Sequence, residues 1–121
     1  MNVKKVCIKD KLSMFSDYWN PRIVGELNGQ QVKIAKLKGA FIWHKHDHED
    51  EMFYVLKGAF RMDFRDKSVE LKENEFIIVP KGIEHRPVAK KEVSVMLFEP
   101  SSTLNTGNMV DQFTKEKLDR I

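Results

Sequence analysis

Short apolar segments separated by turn residues constrain the fold of this chain more than any other feature. Residues 69–71, 76–79, 83–88 and 93–98 form four such segments, and the sequences Lys-Glu-Asn, Pro-Lys-Gly and Ala-Lys-Lys lie between them. No apolar spacing typical of a helix separates them. Closely spaced strands of this kind indicate an antiparallel sandwich or barrel of about eight to ten strands, and they argue against parallel βαβ units.

A hairpin is predicted near the start of this region. Asn28-Gly29 lies between the apolar stretches 23–27 and 32–37. An Asn-Gly pair in this position is a strong local signal for a two-residue turn, because both residues tolerate positive φ. Two paired strands are therefore expected here.

Two later segments differ in how their faces are patterned. Apolar and charged residues alternate over 60–64, which predicts one buried face and one wet face carrying Arg61 and Asp63. Residues 52–56 are apolar on both faces, and so are residues 93–98. The second face needs cover from another sheet, a terminal segment or a partner subunit, and we expect a homodimer.

Length and composition predict one globular domain over residues 1–121. Hydrophobic residues make up 41% of the chain and charged residues 32%, which is too apolar for a disordered chain. We divide the domain into a lead-in segment (residues 1–20), a barrel (21–100) and a C-terminal tail (101–121). No apolar run approaches the roughly 20 residues that cross a bilayer, so we expect no membrane partner.

Charge and the N-terminal residues narrow the expected location and partners. The net charge is +3, and the lysines are interspersed with acidic residues, so no basic stripe suits nucleic acid. Charged residues interrupt any signal-like apolar stretch near the N-terminus, which favours a cytoplasmic protein. Cys7 is the one cysteine, and its apolar neighbours predict a small buried side chain.

The two ends of the chain carry weaker signals. Leu12, Phe15 and Trp19 recur at spacings of three and four, which predicts one or two helical turns before Pro21 that pack on the barrel as a lid. The tail is polar with isolated apolar residues. It is expected to form a short helix, an arm onto a partner, or a frayed end.

Three of the four histidines lie close together. His44, His46 and His48 alternate, so on an extended strand their side chains share one face. That pattern suits a metal site, but it also suits a solvated polar loop. Glu51 follows just before an apolar strand, and a Pro-Lys-Gly turn delivers His85 about 30 residues later.

These residues resemble the two motifs of the cupin superfamily. Residues 39–58 are similar to G-x5-H-x-H-x3,4-E-x6-G, with four residues instead of five after the first glycine. Residues 74–85 are similar to G-x5-P-x-G-x2-H, with Asn74 in place of glycine, and Ala89 stands where the motif closes with asparagine. Asn tolerates positive φ better than other non-glycine residues, so the turn is expected to form. Small cupins of this type are often labelled mannose-6-phosphate isomerase-like, although no phosphate loop or arginine pair here specifies a phosphosugar.

The resemblance implies an all-β jelly roll, a small antiparallel barrel, here with short terminal helical segments. It also implies one divalent metal ion inside the barrel, with these ligands: His44, His46, Glu51 and His85. Imidazole and carboxylate suit Zn, Fe, Mn, Ni or Cu, and four ligands on an octahedral ion leave two positions open. His48, Glu49 and Asp50 do not match the spacing and are interpreted as a solvated loop.

Function is less constrained than fold. Alternation points Ile42, Phe53 and Val55 inward, so we expect a mostly apolar pocket for a small-molecule ligand. The leading hypothesis is a metal-dependent enzyme acting on a small organic molecule, as an isomerase or epimerase or as an Fe(II)-type oxygenase. The alternative is a non-catalytic module that binds or senses a small molecule or metal. Available candidates for a general acid or base are Tyr18, Tyr54, Lys81 and Glu84.

Overall fold

The computed structural model describes residue 1 and residues 3–121. Within them it contains one short helix and seven strands. In chain order these are α1 (Ile8–Leu12), β1 (Arg22–Leu27), β2 (Gln30–Ala40), β3 (Glu51–Lys57), β4 (Ala59–Asp63), β5 (Ser68–Lys72), β6 (Phe76–Val79) and β7 (Arg86–Pro100).

The seven strands pair antiparallel throughout. The main path runs β1-β2-β7-β3-β6, and β4 joins it by pairing with β7 on one side and with β5 on the other. The first residues of β7 pair with β4, whereas its later residues pair with β3, so one bent strand joins the two sides of the barrel. The predicted all-β antiparallel barrel of jelly-roll type is confirmed.

Strand β7 corrects one part of the prediction. Residues 83–88 and 93–98 were expected to be separate strands with a turn between them, but 86–100 is one strand. Both halves of β7 pair with β2, with Ala89 opposite Gly39 and Val93 opposite Leu37. Three residues of β7 therefore face one residue of β2, and the Lys-Lys-Glu sequence forms a bulge instead of a turn.

The predicted hairpin turn is confirmed. Asn28 and Gly29 connect β1 to β2 with φ values of 50° and 78°. Positive φ at both central residues matches a turn whose twist suits a two-residue hairpin. Asn74 also has positive φ, at 67°, as its place in the second motif requires.

The lead-in segment differs from its prediction. Helix α1 ends at Leu12, so Phe15 and Trp19 lie beyond it instead of on one helical face. The Ser13 hydroxyl donates to the carbonyl of Asp10, a local bond that helps to end the helix. Cys7, which was expected to be buried, is exposed because it immediately precedes this surface helix.

Trp19 nevertheless packs on the barrel as expected. Its backbone N–H donates to the Lys36 carbonyl, and its indole N–H donates to the Lys38 carbonyl at 2.9 Å. Its ring stacks on Phe41 with centroids 4.7 Å apart. Phe113 from the tail lies 5.1 Å from the same Phe41 ring, so both ends of the chain meet at one aromatic cluster.

The tail does not form a helix, which was one of the three forms expected for it. Residues 101–121, all of which the structure describes, form a succession of turns. Near its end the tail runs beside β1, where Ile23 donates to the Asp119 carbonyl and Ile121 donates to the Ile23 carbonyl. These two bonds hold the last residues against the edge strand.

The outer face of β3, β6 and β7 is apolar. Register places Met52 between Ile78 and Phe98, and Tyr54 between Phe76 and Met96. Phe76 and Ile78 are 57% and 55% exposed. The opposite face of the same strands fills the barrel, so the expectation of strands that are apolar on both faces is confirmed for β3 and β7.

No helix among the described residues is long and apolar enough to span a bilayer.

Asp63 lies on the face of β4 that was expected to be wet, but it is buried. Its carboxylate accepts hydrogen bonds from Arg61, Ser68 and Arg86 at 2.7–2.9 Å. Burial by itself would raise the pKa of Asp63, but these donors outweigh it and lower the pKa from 3.8 to about 2. The ionised carboxylate is therefore favoured in the folded state.

Replacing Asp63 should cost stability in a pH-dependent way. At neutral pH Asp63→Asn should lower the free energy of unfolding by about 1–3 kcal/mol, because bonds to charged groups are lost. The contribution is fully present above about pH 4 and is lost as the pH falls towards 2, since the folded state then takes up the proton. Urea denaturation across this range measures it. Asp66→Asn, at an exposed position, should change stability by less than about 0.5 kcal/mol, and equal effects of the two variants would contradict the assignment.

Candidate metal centre

Four buried side chains from distant parts of the sequence converge inside the barrel. His44 and His46 lie in the irregular stretch between β2 and β3, Glu51 is the first residue of β3, and His85 directly precedes β7. They are 0–4% exposed. We call these four residues the His/Glu cluster.

Backbone hydrogen bonds hold the histidine-bearing segments together. His44 and His85 form an antiparallel bridge, in which each backbone N–H donates to the other carbonyl at 3.1 and 2.9 Å. The N–H of Gly82 donates to the His46 carbonyl at 2.7 Å. The Pro-Lys-Gly turn therefore delivers His85 to the other two rings, as the sequence predicted.

The C-terminal tail is hydrogen-bonded to the loop that carries His44 and His46. Asn108 donates its N–H to the Lys45 carbonyl and accepts the Lys45 N–H with its side chain, at 3.0 and 2.9 Å. Gly107 passes so close that an added Cβ would lie 2.2 Å from the Lys45 carbonyl oxygen. Lys45 lies between His44 and His46, so the tail fixes the backbone that carries two of the four clustered side chains.

The geometry of the His/Glu cluster fits a metal ion. One ligand atom from each residue can be chosen so that all four lie within 4.8 Å of one another. Glu51 Oε1 lies 3.3 Å from Nε2 of both His46 and His85, yet none of these three buried atoms makes a hydrogen bond. Buried polar atoms are normally satisfied, so converging and unpaired donor atoms indicate a place for an ion.

Two of the rings are oriented by the backbone. Nδ1 of His44 lies 2.9 Å from the Ile42 carbonyl, and Nδ1 of His85 lies 2.9 Å from the Ile83 carbonyl. A carbonyl only accepts, so each Nδ1 carries the proton and each Nε2 keeps its lone pair. This arrangement prepares both rings to bind a metal through Nε2.

Burial and neighbouring charges shift the titration of the His/Glu cluster. Burial, reinforced by the nearby His85 ring, lowers the pKa of His44 from 6.5 to about 4. Burial would raise the pKa of Glu51, but the adjoining His46 and His85 rings hold it well below its usual range. A neutral imidazole and an ionised carboxylate are the forms that bind metal.

An apolar cavity adjoins the cluster. His44 and Glu51 lie on its wall, and Trp19, Phe41 and Phe53 supply aromatic surface. Its free volume is about 40 Å³, room for about three water molecules at 10–15 Å³ each. Phe53 was expected here, but Phe41 lines the cavity instead of the expected Ile42, because the backbone leaves strand β2 at Ala40 and simple alternation ends.

The cavity also holds a buried ion pair that the sequence interpretation missed. Lys33 and Glu99 lie on its wall, 2.8 Å apart, with 2% of each side chain exposed. Alternation contained the signal: Lys33 shares the inward face of β2 with Ala35, and Glu99 shares that of β7 with Leu97. A charged residue on an inward face is rare unless it is paired.

Glu99 also faces the His/Glu cluster. Burial and the nearby Glu51 carboxylate raise the pKa of Glu99 well above its usual range, and Lys33 opposes this shift only in part. Glu99, unlike the four acid–base candidates named from the sequence, is thus a titratable group that lines the cavity.

Those four candidates lie outside the cavity. Tyr18 donates to Glu92, and Tyr54 donates to Asn74 on the outer side of the sheet. Lys81 and Glu84 are exposed, and Glu84 pairs with an arginine on the surface. They were named for their chemistry alone, and the sequence carried no signal for which face each would occupy.

The other acidic and histidine residues of the loop lie apart from the cluster. His48 and Asp50 are exposed, and Asp50 accepts the backbone N–H of Lys81. Glu49 accepts a hydrogen bond from Ser102. The solvated-loop interpretation of residues 48–50 agrees with these positions.

Comparisons with known proteins agree with this geometry. The family model described as a cupin domain matches residues 31–99. A cupin-2 domain containing protein from Shewanella frigidimarina is 41% identical, with a TM-score of 0.78, and the match covers 78% of this chain and 93% of that one. Protein NMB1881 from Neisseria meningitidis is 32% identical, with a TM-score of 0.75 and coverage of 81% and 100%.

A curated relative is similar over a shorter stretch. The uncharacterized protein YdbB of Bacillus subtilis is 38% identical over 80 residues, which is 65% of this chain and 65% of the relative. The match thus spans slightly less than two thirds of that relative's length. None of these three descriptions names a substrate or supports a mannose-6-phosphate isomerase label. Because the family model covers more than half of the chain and includes the motif residues, the chain belongs to the cupin family.

Proposed function

We propose that this cupin binds one divalent metal ion through the His/Glu cluster and acts as a metal-dependent enzyme on a small organic molecule. One observation carries the proposal: His44 and Glu51 belong both to the cluster and to the wall of the apolar cavity. A ligand in the cavity would therefore lie beside the metal. Mostly apolar walls with a few convergent polar groups are typical of small-molecule sites.

The residues supply binding, orientation and exclusion of water. Three imidazoles and one carboxylate suit Zn, Fe, Mn, Ni or Cu, and such an ion polarises a bound oxygen or, as Fe(II), supports chemistry with dioxygen. Trp19 and Phe41 stack on each other on the cavity wall, and Phe113 packs against the Phe41 ring, so this side of the cavity is apolar. The small free volume favours ligands of few atoms.

Turnover by the metal-loaded protein tests the enzymatic role. The protein is loaded separately with Zn²⁺ and, without air, with Fe²⁺, and then incubated with a panel of small hydroxy and keto acids. Isomerisation or epimerisation with either metal supports Lewis-acid chemistry, whereas oxygen uptake confined to Fe²⁺ supports an oxygenase. Tight metal binding without turnover would favour the alternative, a module that binds or senses a small molecule or metal.

Removing two ligands should abolish metal binding. In His44→Ala/His46→Ala, elemental analysis should find far less than one metal ion per chain, because half of the donor atoms are gone. His48→Ala is the matched control, since His48 is exposed and outside the His/Glu cluster. It should keep wild-type occupancy. Full occupancy of the double variant, or a large loss in the control, would contradict the ligand assignment.

Metal affinity should fall as the pH is lowered, because the proton competes for the imidazole lone pair. A reference imidazole protonates near 6.5, but the lowered pKa of His44 keeps that ring neutral down to about pH 4. Equilibrium dialysis should therefore show full metal content near neutrality and nearly complete loss below about pH 4. Unchanged retention there would argue against a site built mainly from imidazoles.

We also propose that two chains associate through the outer face of β3, β6 and β7. Support comes from six neighbouring apolar side chains on that face, two of which are more than half exposed: Met52, Tyr54, Phe76, Ile78, Met96 and Phe98. Pairing two such faces would remove them from water.

Sedimentation tests the dimer. At micromolar concentration the wild type should sediment at twice the 14.2 kDa of one chain. Ile78→Lys places a charge on the exposed apolar face and should raise the dissociation constant at least about tenfold, since burying an unpaired ammonium is costly. Val110→Lys, at an exposed tail position, is the control and should not change it. A wild-type species of one chain would refute the proposal.

A further inference from the structure

The Lys33–Glu99 pair has no evident role in stability. Both side chains are 2% exposed in a cavity whose other walls are mostly apolar. Moving two charges out of water costs several kcal/mol each, and replacing a buried ion pair with apolar residues is often neutral or stabilising. Apolar core residues such as Ala35 and Leu97 already line this part of the barrel. The placement of the Lys33–Glu99 pair on the cavity wall suggests a role in binding.

The pair is only partly satisfied by its own hydrogen bond. The Lys33 ammonium donates to Glu99 Oε1 at 2.8 Å, and Glu99 Oε2 is buried without a partner among the described residues. An ammonium has three N–H bonds, so two remain for other acceptors. Unpaired donors and a buried unpaired oxygen therefore meet at the cavity wall.

Glu99 also lies within reach of the metal centre. Its carboxyl group and that of Glu51, a member of the His/Glu cluster, line the same cavity. A ligand in the cavity could therefore reach the metal with one oxygen and Glu99 with another. The free volume of about 40 Å³ limits such a ligand to a few atoms, with its two oxygens close together.

We infer that Lys33 and Glu99 bind the hydroxyl group of a small 2-hydroxy acid whose carboxylate lies on the metal. This inference rests on the proposed metal site and names the ligand class for it. A hydroxyl both donates and accepts hydrogen bonds. It therefore fits Glu99 Oε2 whether that group is a carboxylate or a carboxylic acid, and it can also accept from the Lys33 ammonium.

Two probes that differ by one hydroxyl test the inference: lactate and propanoate. The protein is loaded with Co²⁺, whose visible absorption reports ligands entering the metal site, and each probe is titrated in. Wild-type protein should bind lactate at least about tenfold more tightly than propanoate, as expected for a hydrogen bond to a charged group. Equal affinities, or no spectral change with lactate, would overturn the inference.

A double variant separates the ion pair from simple chelation of the metal by the hydroxyl. Lys33→Met/Glu99→Leu removes both charges together and leaves neither one unpaired. Its melting temperature should be at or above that of the wild type, and its affinity for Co²⁺ should be unchanged. It should bind lactate no more than about threefold more tightly than propanoate. A preference that persists in this variant would mean that the hydroxyl only chelates the metal, and would contradict the inference.

Two further variants complete the design. Arg65→Gln/Glu84→Gln removes an exposed ion pair away from the cavity and should keep the full lactate preference. Glu99→Gln keeps a hydrogen-bonding group and should retain part of the lactate preference. This single variant keeps the inference testable if the double variant misfolds. Failure of the wild type to take up Co²⁺ would instead refute the metal site itself, so the two failures are distinguishable.

Discussion

Strand β7 hydrogen-bonds to three other strands, and both the barrel and the site depend on these pairings. It joins β4 through its first residues and lies between β2 and β3 through its later ones. The bulge opposite Leu37 and Gly39 accommodates the change of direction between these two parts. His85 directly precedes this strand and Glu99 lies near its end, so the bend of one strand brings a metal-ligand candidate and a cavity acid to the same interior.

Two buried charged sites are tolerated because their members have specific partners. Asp63 is held by two arginines and a serine, and Lys33 is paired with Glu99. The His/Glu cluster is different, since three of its donor atoms approach one another without hydrogen bonds. Burial penalises such an arrangement unless an ion completes it. Asp63 thus has a structural explanation, whereas the cluster and the cavity pair are the places where we propose bound ligands.

Both ends of the chain help to shape the site. Trp19 from the lead-in segment and Phe113 from the tail pack on Phe41, and Trp19 and Phe41 line the cavity. Gly107 and Asn108 contact the backbone of Lys45, between His44 and His46. A barrel limited to residues 21–100 would lack these contacts, which explains why the segments outside the motif region matter for the proposed function. A single domain over residues 1–121 and a cytoplasmic location stay predictions.

Local patterns in the sequence determined much of this protein. Asn28-Gly29 predicted the first hairpin because Asn and Gly tolerate positive φ whatever lies around them. Motif spacing identified the four residues that the structure brings together. What depends on distant partners could not be predicted. The Ala-Lys-Lys sequence is compatible with a turn, and only pairing of both its flanks with β2 makes it a bulge. Likewise, the tertiary structure decided that Asp63 is buried and that Lys33 meets Glu99, because the partners that offset burial of each charge lie up to 66 residues away in the chain.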